Sequence, residues 1–448
     1  MSNRRPRIFI DGYNLELEQG TGVATYARNL SFGLRDLGAE VGVLYGTESS
    51  TISVTPLIRE IGFFDTKVGR PPPLVRAMHT IRRALTTPFG EIATQVPMTG
   101  QVVHDTFRSR LPYYDQIWNV QQLFESQRLH FKLYRQRMKV HFRQPPQVMH
   151  WTYPLALKVD GAKNIYTMHD LVPLRLPYTT LDNKRQYFRL TRQLTRRADH
   201  IVTVSEASKR DIVNLLGVPE DKVTNTYQSV EIPAKYANKP LDDVRAEVEG
   251  TFGLTMGRYF MFFGAIEPKK NIGRLIEAYL ASGVEDPLII VGKKAWKSRQ
   301  ELRLLTENEH ITYLLTRGNV TETRQRIILQ KYAPFPLLVS LIRGAKAVLF
   351  PSLYEGFGLP ALEAMLLGTP VMTSNTASMP EVVGDAALQV DPYDVAQMVA
   401  AIRALDRDPQ LRARLSEAGP RQAALFSAER YQTRLQDMYR GLGVNWPA

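Results

Sequence analysis

Two glutamates, Glu355 and Glu363, stand eight positions apart in the stretch PSLYEGFGLPALEAM, which otherwise carries no charge. Carboxylates in an apolar setting are candidates for chemistry, because such surroundings shift their pKa values towards those that acid–base reactions use. One interpretation is an acid/base pair that cleaves a glycosidic bond, flanking that bond at about 5–9.5 Å. A glycine-rich loop and Pro360 interrupt the helix between them, so the spacing does not place both carboxylates on one helical face.

The elements around these glutamates are predicted to bring them to a ligand. The stretch KAVLFPS predicts a strand, LYEGFGL the loop at its carboxyl end, and PALEAMLL a helix that begins with Pro360. Ligands of open α/β sheets bind at the carboxyl ends of strands, and the free N–H groups of helix starts attract anions. For Glu363 alone there is an opposing interpretation, in which a carboxylate in the first turn stabilises the helix by about 0.3–1 kcal/mol.

Two more loops precede predicted helices. GTGV at 20–23 would let an anion approach the backbone at Gly22. GAIEPKKN at 264–271 follows the predicted strand RYFMFF and places Lys269 and Lys270 beside a helix start. Two cations at such a position suit a diphosphate, and a solvated turn is the alternative.

His169 follows directly after the strand predicted in YTMHDLVP. A lone histidine is more often a packed or surface residue than a functional one. Its position at the carboxyl end of a strand favours a functional role, because ligands of α/β sheets bind there.

The composition narrows the class of protein. The 448 residues are 44% hydrophobic and 23% charged, which is typical of a globular chain of two or three domains. Cysteine is absent, which excludes disulfides, thiolate catalysis and zinc–thiolate sites. The apolar part of MSNRRPRIFIDGYN is too short for a signal peptide, so we expect a cytoplasmic protein.

The net charge of +13 predicts an anionic partner, and the charge is uneven. Residues 126–159 carry seven Lys/Arg and residues 183–197 carry six, without any Asp or Glu. The stretch 128–143 is predicted to be helical, although its basic and apolar residues alternate with a period closer to two. We expect contact with an anionic membrane, peripheral on the inner face of the plasma membrane; a solvated basic surface is the alternative. No nucleic-acid motif is present, so nucleic acid is not an expected partner.

Strands and helices alternate in two series, separated by the stretch 228–250, which is interpreted as a linker. The motifs resemble those of the retaining glycosyltransferases of family 4, which have the GT-B fold. The resemblance covers most of 8–30 and 148–430, is weak over about 45–147, and rests on stretches in the same order: YTMHDLVPLRLP, IVTVSEASKRDIVNLLGVPEDKV, GAIEPKKNIGRLIEAY, RGAKAVLFPS, PSLYEGFGLPALEAMLLGTPVMTSN and MPEVVGDAALQVDP.

The resemblance implies a fold of two Rossmann-like domains facing each other across a cleft. We predict an acceptor-binding domain over 1–228 and a nucleotide-sugar-binding domain over 229–425. A C-terminal helix over 426–448 is expected to pack back on the first domain. The implied function is transfer of a hexose with retention of configuration. The motif sequences resemble those of mannosyltransferases of surface-polysaccharide pathways, so mannose from GDP-mannose is the expected donor. UDP-sugars are an alternative donor, and a nucleotide-sugar epimerase or hydrolase an alternative activity.

Residue roles follow from the same resemblance. The resemblance implies that Glu355 faces the hydroxyls of the donor sugar and that His169 touches the transferred sugar, and these two are the expected catalytic residues. Glu363 is expected to bind the ribose hydroxyls. The diphosphate is expected to lie near Gly22, Lys270 and the amides of Phe357, Gly358 and Leu359. Many family members carry an arginine where this chain has Ala265. We therefore expect Lys269 to assist Lys270.

No metal and no cofactor are expected, because lysines and helix starts can neutralise a nucleoside diphosphate that leaves. The sequence DRD at 406–408 has the form of a metal-binding pair, but it is interpreted as a solvated turn before Pro409. The acceptor is expected to be a lipid-linked glycan or a polysaccharide, recognised by the divergent 45–147 region.

Overall fold

The computed structural model describes residues 5–15, 22–48, 55–65, 83–103, 111–307, 312–317 and 320–446. In these ranges the chain forms two large sheets covered by helices, and two smaller sheets. Gly20 and Thr21 of the predicted GTGV anion site lie outside the described residues.

The first half is built on a mainly parallel sheet. The described strands of the first half are β1 (Arg7–Asp11), β2 (Glu40–Tyr45), β3 (Glu91–Ile92), β4 (Thr94–Val96), β5 (Gln116–Asn119), β6 (Met138–His141), β7 (Val148–Trp151), β8 (Leu157–Val159), β9 (Lys163–Thr167), β10 (His200–Thr203) and β11 (Val223–Asn225). The large sheet has the order β11-β10-β9-β7-β1-β2-β5-β4, with β4 antiparallel to β5. Ile8, Phe9 and Ile10 of β1 are all fully buried, because helices cover both faces.

The helices of this half connect successive strands. They are α1 (Gly22–Asp36), α2 (Pro56–Phe64), α3 (Leu123–Tyr134), α4 (Val172–Arg175), α5 (Lys184–Arg197) and α6 (Glu206–Leu216). Ser205 caps α6 by accepting a hydrogen bond from the N–H of Ser208, and Gly217 ends it in the left-handed region.

The prediction of a helix over 128–143 is wrong for its second part. Helix α3 ends at Tyr134, where Arg135 adopts a left-handed φ of 56°. Residues Met138–His141 then form β6, which pairs with β3 and β8 in a three-stranded sheet. Buried and exposed side chains alternate along β6, which accounts for the period close to two.

The second half contains the other large sheet, with the order β16-β13-β12-β17-β18-β19 and parallel pairing throughout. Strands of this half are β12 (Phe260–Phe263), β13 (Leu288–Val291), the hairpin β14 (Thr312–Arg317) and β15 (Val320–Gln325), β16 (Ile327–Gln330), β17 (Ala347–Phe350), β18 (Val371–Ser374) and β19 (Leu388–Val390). The helices are α7 (Ala234–Ala237), α8 (Leu241–Phe252), α9 (Ile272–Ser282), α10 (Ser298–Glu301), α11 (Arg303–Glu307), α12 (Phe335–Gly344), α13 (Leu359–Leu366), α14 (Met379–Val383), α15 (Val395–Arg407), α16 (Pro409–Ala423) and α17 (Ala428–Gly441).

The chain crosses between the halves twice, at neighbouring points. The N–H of Val230 donates to the carbonyl of Phe426 at 3.3 Å, so the two crossings touch. The stretch 228–250, interpreted as a linker, contains α7 and most of α8, and α8 packs on α12 through the buried Val244 and Val248.

After the second crossing, α17 lies along α1 of the first half. The domain boundaries at 228 and 425 stay predictions. Within the described ranges, no helix is both long and apolar enough to span a bilayer.

Candidate active site

Glu355 and Lys270 form a buried ion pair beyond the carboxyl ends of two neighbouring strands. Glu355 lies in the loop after β17, and Lys270 ends the 3-10 turn Pro268–Lys270 that follows β12. Lys270 Nζ lies 2.6 Å from Oε1 of Glu355, and the two residues are 8% and 6% exposed. Burial opposes ionisation of Glu355, but Lys270 and Lys269 outweigh it and hold its pKa below the usual value. The carboxylate is therefore ionised, with a cation beside it.

Lys269 is the second cation of this site. Burial alone would lower its pKa, but Glu355, Asp170 and Glu267 outweigh burial and hold that pKa above its usual value. Ala265, the position at which many family members carry arginine, is exposed. The second positive charge near Glu355 therefore comes from Lys269.

Glu267 is a buried carboxylate that spacing alone does not reveal. It is 6% exposed, and its Oε1 lies 3.8 Å from Nζ of Lys269. Burial raises its pKa, although Lys269 and Lys270 act in the opposite direction. The sequence signal that was available is its place in EPKKN, next to the two lysines.

Glu363 places a carboxylate on α13 that no described residue pairs with. Helix α13 begins at Leu359, so Glu363 lies beyond the first turn, and the interpretation of its carboxylate as a first-turn charge is wrong. The side chain is half-buried, and burial raises its pKa to about 7. Among the described residues, none forms a hydrogen bond or an ion pair with this carboxylate. A ligand with hydroxyl donors would supply the missing partners.

The loop Phe357–Gly358–Leu359 turns the chain into α13. Gly358 has a φ of +109°, and a Cβ on it would lie 2.6 Å from Sδ of Met379, so glycine is required there. The N-terminus of α13 has no side-chain cap, which leaves its first N–H groups for a ligand. Gly22 begins α1 of the first half, and a Cβ on it would lie 3.6 Å from Cδ1 of Leu359. Two helix starts therefore lie next to each other, which favours an anion between them.

His169 lies against the loop of Glu355 from the other half. Its Nε2 lies 3.0 Å from the carbonyl of Thr152 and therefore donates, which leaves Nδ1 as the acceptor in the neutral ring. Burial lowers the pKa of His169, so the neutral ring is favoured. A Cβ on Gly356 would lie 2.6 Å from the carbonyl oxygen of His169, so the two backbones are in direct contact.

A contact between the halves is made by Glu381 of α14. Its carboxylate accepts hydrogen bonds from the N–H groups of Glu206 at 2.8 Å and Ala207 at 2.9 Å, at the start of α6. The hydroxyl of Tyr227 donates to the same carboxylate at 3.2 Å. A carboxylate at a helix start is a favourable pairing, so Glu381 stabilises this contact between the halves.

A cavity of about 450 Å³ lies between α3 and α5. Tyr13, Arg128, Lys132, Tyr153 and Tyr187 line it, and the rings of Tyr13 and Tyr153 are 5.5 Å apart. The residue before Tyr153 is Thr152, the carbonyl partner of His169. The cavity leaves room for a second substrate next to the site, and no sequence motif indicates it.

The sequence DRD lies at the junction of α15 and α16, where Arg407 and Asp408 are exposed and Asp406 is partly buried. Asp406 accepts from Nζ of Lys346 at 2.8 Å, and Asp408 caps α16 by accepting from the N–H groups of Gln410 and Leu411. Both aspartates therefore have structural partners. No group of three or more His, Asp or Glu side chains in the described ranges is arranged to hold a metal ion.

The geometry defines a class: two α/β halves meeting at a site with two lysines and two helix starts, as in glycosyltransferases. Residues 252–422 match the model of glycosyl transferases group 1, and residues 100–231 match that of glycosyltransferase family 4. O-antigen chain mannosyltransferase B of Escherichia coli is 32% identical over 62% of this chain and 70% of that protein. The chain therefore belongs to the family-4 glycosyltransferases and resembles mannosyltransferases of surface-polysaccharide biosynthesis.

Other comparisons agree with this assignment. RfbU, an O-antigen chain mannosyltransferase of Salmonella typhimurium, is 29% identical over 54% of this chain and 61% of that protein. The mannosyltransferase WbdA of E. coli is 26% identical, but the match spans 29% of its length. Two solved structures share the fold: sucrose-phosphate synthase of Thermosynechococcus elongatus (TM-score 0.63, 16% identity, 98% and 99% of the chains) and WaaG (0.59, 13%, 96% and 99%). The predicted GT-B fold is thereby confirmed.

Proposed function

We propose that this hexosyltransferase takes mannose from GDP-mannose and transfers it, with retention of configuration, to a lipid-linked or polysaccharide acceptor. The likeness to O-antigen mannosyltransferases supports the mannosyl donor. The observation that carries the proposal is the row formed by the Glu355–Lys270 pair, the adjacent helix starts and the carboxylate of Glu363, which has no partner among the described residues.

Each part of the donor has a chemically matched group in this row. Glu355 and the Nδ1 of His169 accept hydrogen bonds from sugar hydroxyls. The free carboxylate of Glu363 accepts from both ribose hydroxyls. Positive charge for the diphosphate is contributed by Lys269, Lys270 and the N–H groups at Gly22, Phe357, Gly358 and Leu359.

Departure of the nucleoside diphosphate is the step that these cations assist. Negative charge develops on the leaving oxygen, and preorganised lysines and helix dipoles stabilise it without reorganisation. We propose that the reaction needs no metal ion and no cofactor, because two lysines and two helix starts serve the same oxygen atoms.

The proposed retention follows from the family's single-face reaction, in which the leaving phosphate oxygen takes the acceptor's proton. The environment of Glu355 supports a role in binding. Lys270 holds the Glu355 carboxylate ionised, whereas the general acid of a hydrolase must be protonated before it reacts. Glu355 is then a residue that holds the sugar.

A UDP-sugar donor is the second candidate. A structural neighbour, HepE of Anabaena, was solved with UDP and glucose, with a TM-score of 0.60 and 14% identity. A nucleotide-sugar epimerase or hydrolase is a weaker alternative.

We further propose that the protein is cytoplasmic and works at the inner face of the membrane. Helix α5 supports this, since Arg185, Arg189, Arg192 and Arg196 are all exposed on it. Cations on one surface are attracted to an anionic leaflet, at roughly 1 kcal/mol for each one near it.

The test is a thermal-shift screen with GDP, UDP and their sugars, followed by transfer assays of Glu355→Ala. We expect GDP and GDP-mannose to raise the melting temperature, and Glu355→Ala to lose transfer by a factor on the order of 100. Glu249→Ala, which removes an exposed carboxylate on α8, is the matched control and keeps full activity. Absence of stabilisation by any nucleotide would rule out the transferase, and full activity of Glu355→Ala would rule out its assigned role.

A further inference from the structure

The side chain of Tyr354, the residue before Glu355, contacts the first half of the protein. Tyr354 is 7% exposed, and its hydroxyl donates a hydrogen bond to Oδ2 of Asp211 on α6. Burial and the hydrogen bond to Asp211 raise the pKa of this hydroxyl well above its usual value, so it keeps the proton that it donates. The loop of Glu355 is therefore joined to the first half by a side chain.

Arg175 fixes the orientation of the carboxylate that accepts this bond. Its Nε donates to Oδ2 of Asp211 at 3.0 Å, and its Nη2 lies 2.9 Å from Oδ1, so both carboxylate oxygens are engaged. A bidentate contact of this kind restricts the carboxylate to one orientation. Arg175 ends α4, which begins shortly after His169. The acceptor that Tyr354 meets is thus oriented by the same half that holds His169.

The backbone of the loop is attached on both sides as well. The hydroxyl of Ser378, in the second half, donates to the carbonyl of Glu355 at 2.9 Å. From the first half, the hydroxyl of Ser208 donates to the carbonyl of Gly356 at 3.4 Å. Attachments from the second half hold the loop whether or not the halves are in contact. Those from the first half, at Gly356 and Tyr354, exist only when the halves are in contact.

We propose that Tyr354 is a positioning residue that holds Glu355 at the donor sugar by its hydrogen bond to Asp211. The inference rests on the proposed function, in which Glu355 binds sugar hydroxyls, and adds a condition to it. The sugar is held in the reactive position only while the two halves are in contact. A displacement of about an ångström costs on the order of 100-fold in rate, so a contact that prevents such a displacement raises kcat.

This role separates transfer from nucleotide binding. GDP lacks the sugar that Glu355 holds, so the affinity for GDP does not depend on where that carboxylate points. The hydroxyl of Tyr354 therefore contributes to turnover and not to the Kd of GDP. A residue that only stabilises the fold would affect both quantities, because unfolding removes the nucleotide site as well.

The test is Tyr354→Phe, which removes the hydroxyl and keeps the ring. We expect kcat for transfer to fall by on the order of ten-fold, while the Kd of GDP stays within about two-fold of the wild-type value. The loss is smaller than that expected for Glu355→Ala, because the carboxylate and the contact of Ser378 remain. Steady-state kinetics and isothermal titration calorimetry measure the two quantities.

The matched control is Tyr259→Phe. Tyr259 is fully buried just before β12, at the edge of the sheet opposite to the site, and its hydroxyl donates to the carbonyl of Leu341 at 2.6 Å. The same chemical change at an equally buried place is expected to leave kcat unchanged. Far-UV circular dichroism establishes that both variants fold.

A double-mutant cycle tests the partner of Tyr354. Asp211→Ala removes the acceptor, and Tyr354→Phe/Asp211→Ala is expected to have the same kcat as Asp211→Ala alone, because both changes break one hydrogen bond. Asp211→Asn keeps an oxygen that can accept from Tyr354, so it is expected to retain more activity than Asp211→Ala.

Other outcomes overturn the proposal. Full kcat of Tyr354→Phe, additive losses in the cycle, or a parallel loss of GDP affinity contradicts it, and so does an equal loss in Tyr259→Phe. Failure of the proposed function has a different signature: the wild type binds no nucleotide, or Glu355→Ala keeps full transfer. A wild type that binds GDP and loses transfer in Glu355→Ala but not in Tyr354→Phe refutes the positioning role alone.

Discussion

The pKa values of Glu355 and Glu363 are shifted in opposite directions because the surroundings of the two carboxylates differ. Lys270 at 2.6 Å keeps Glu355 ionised, whereas Glu363 is half-buried, has no cation beside it in the described part of the chain, and has a pKa raised to about 7. A carboxylate held by a cation suits the binding of neutral hydroxyls, and a partner-free one is available to a pair of them. The difference argues that the two residues serve different parts of one ligand.

The raised pKa of Glu363 predicts that nucleotide binding depends on pH. Its carboxyl group loses its proton only as the pH rises through about 7, and the ionised form accepts both ribose hydroxyls. We therefore expect the Kd of GDP to increase several-fold as the pH falls from 8 to 6. Isothermal titration calorimetry across this range measures the effect.

The control for this prediction is Glu363→Gln, which cannot ionise and reports the titration of the GDP phosphates alone. Its Kd is expected to be higher at pH 8 and to follow a flatter pH profile. A wild-type profile parallel to that of Glu363→Gln would contradict the assignment of Glu363 to the ribose.

At the residue scale, the sequence indicates the groups that lie in motifs and misses those that the fold assembles. Lys269, Lys270 and Glu355 come together as their strand-end positions predict. Tyr13 and Tyr153 are 140 positions apart and meet only because β1 and β7 are neighbours in the sheet. No local pattern carries that information.

At the element scale, the loop after β17 lies so close to the loop after β9 that no side chain fits at Gly356. A Cβ at position 356 would lie 2.6 Å from the carbonyl of His169, and backbone at that distance must move. We expect Gly356→Ala to reduce kcat/KM for transfer by on the order of 100-fold, since displacement by about an ångström has that effect. Steady-state kinetics measures it.

Gly250→Ala is the matched control, because a Cβ there meets nothing within 4 Å on α8. It is expected to keep full activity and to stabilise the helix slightly, since alanine favours helices by up to about 1 kcal/mol over glycine. Equal activity of both variants would show that the halves do not need this contact for transfer.

Most elements could be predicted from periodicity, and the exceptions have a common cause. The helix predicted over 128–143 gives way to β6, because β3 and β8 supply its partners from distant parts of the chain. The stretch 228–250 is mostly polar, so its composition does not predict helix α8. The two buried apolar residues of this helix, Val244 and Val248, face α12. In both places tertiary partners decide the structure.

At the scale of the whole molecule, α17 completes a buried polar chain in the first half. The hydroxyl of Tyr439 lies 2.6 Å from Nδ1 of His150, and Nε2 of His150 lies 2.8 Å from the hydroxyl of Thr167. That hydroxyl lies 3.0 Å from the hydroxyl of Tyr26, whose ring contacts His169 edge-on at 4.8 Å. Burial lowers the pKa of His150 to about 3, so the ring is neutral.

Removal of one hydroxyl from this buried polar chain is expected to lower the free energy of unfolding. Tyr439→Phe leaves Nδ1 of His150 buried without a partner, which costs about 1–3 kcal/mol in the free energy of unfolding. Urea unfolding followed by circular dichroism measures the change. Tyr332→Phe, at a side chain 70% exposed, is the control and keeps the wild-type value; equal values for both variants would exclude the chain as a stabilising feature.

Because the chain returns to the first half at its end, the first half is completed last during synthesis. Helix α17 is translated after both sheets, yet its Tyr439 fills a partner position in the first of them. While the ribosome is still producing the second half, the earlier half holds His150 without that partner and α1 without its cover. The nascent first half is therefore less stable than the same residues in the finished chain, and translation must continue through α17 before the earliest part of the protein reaches its final stability.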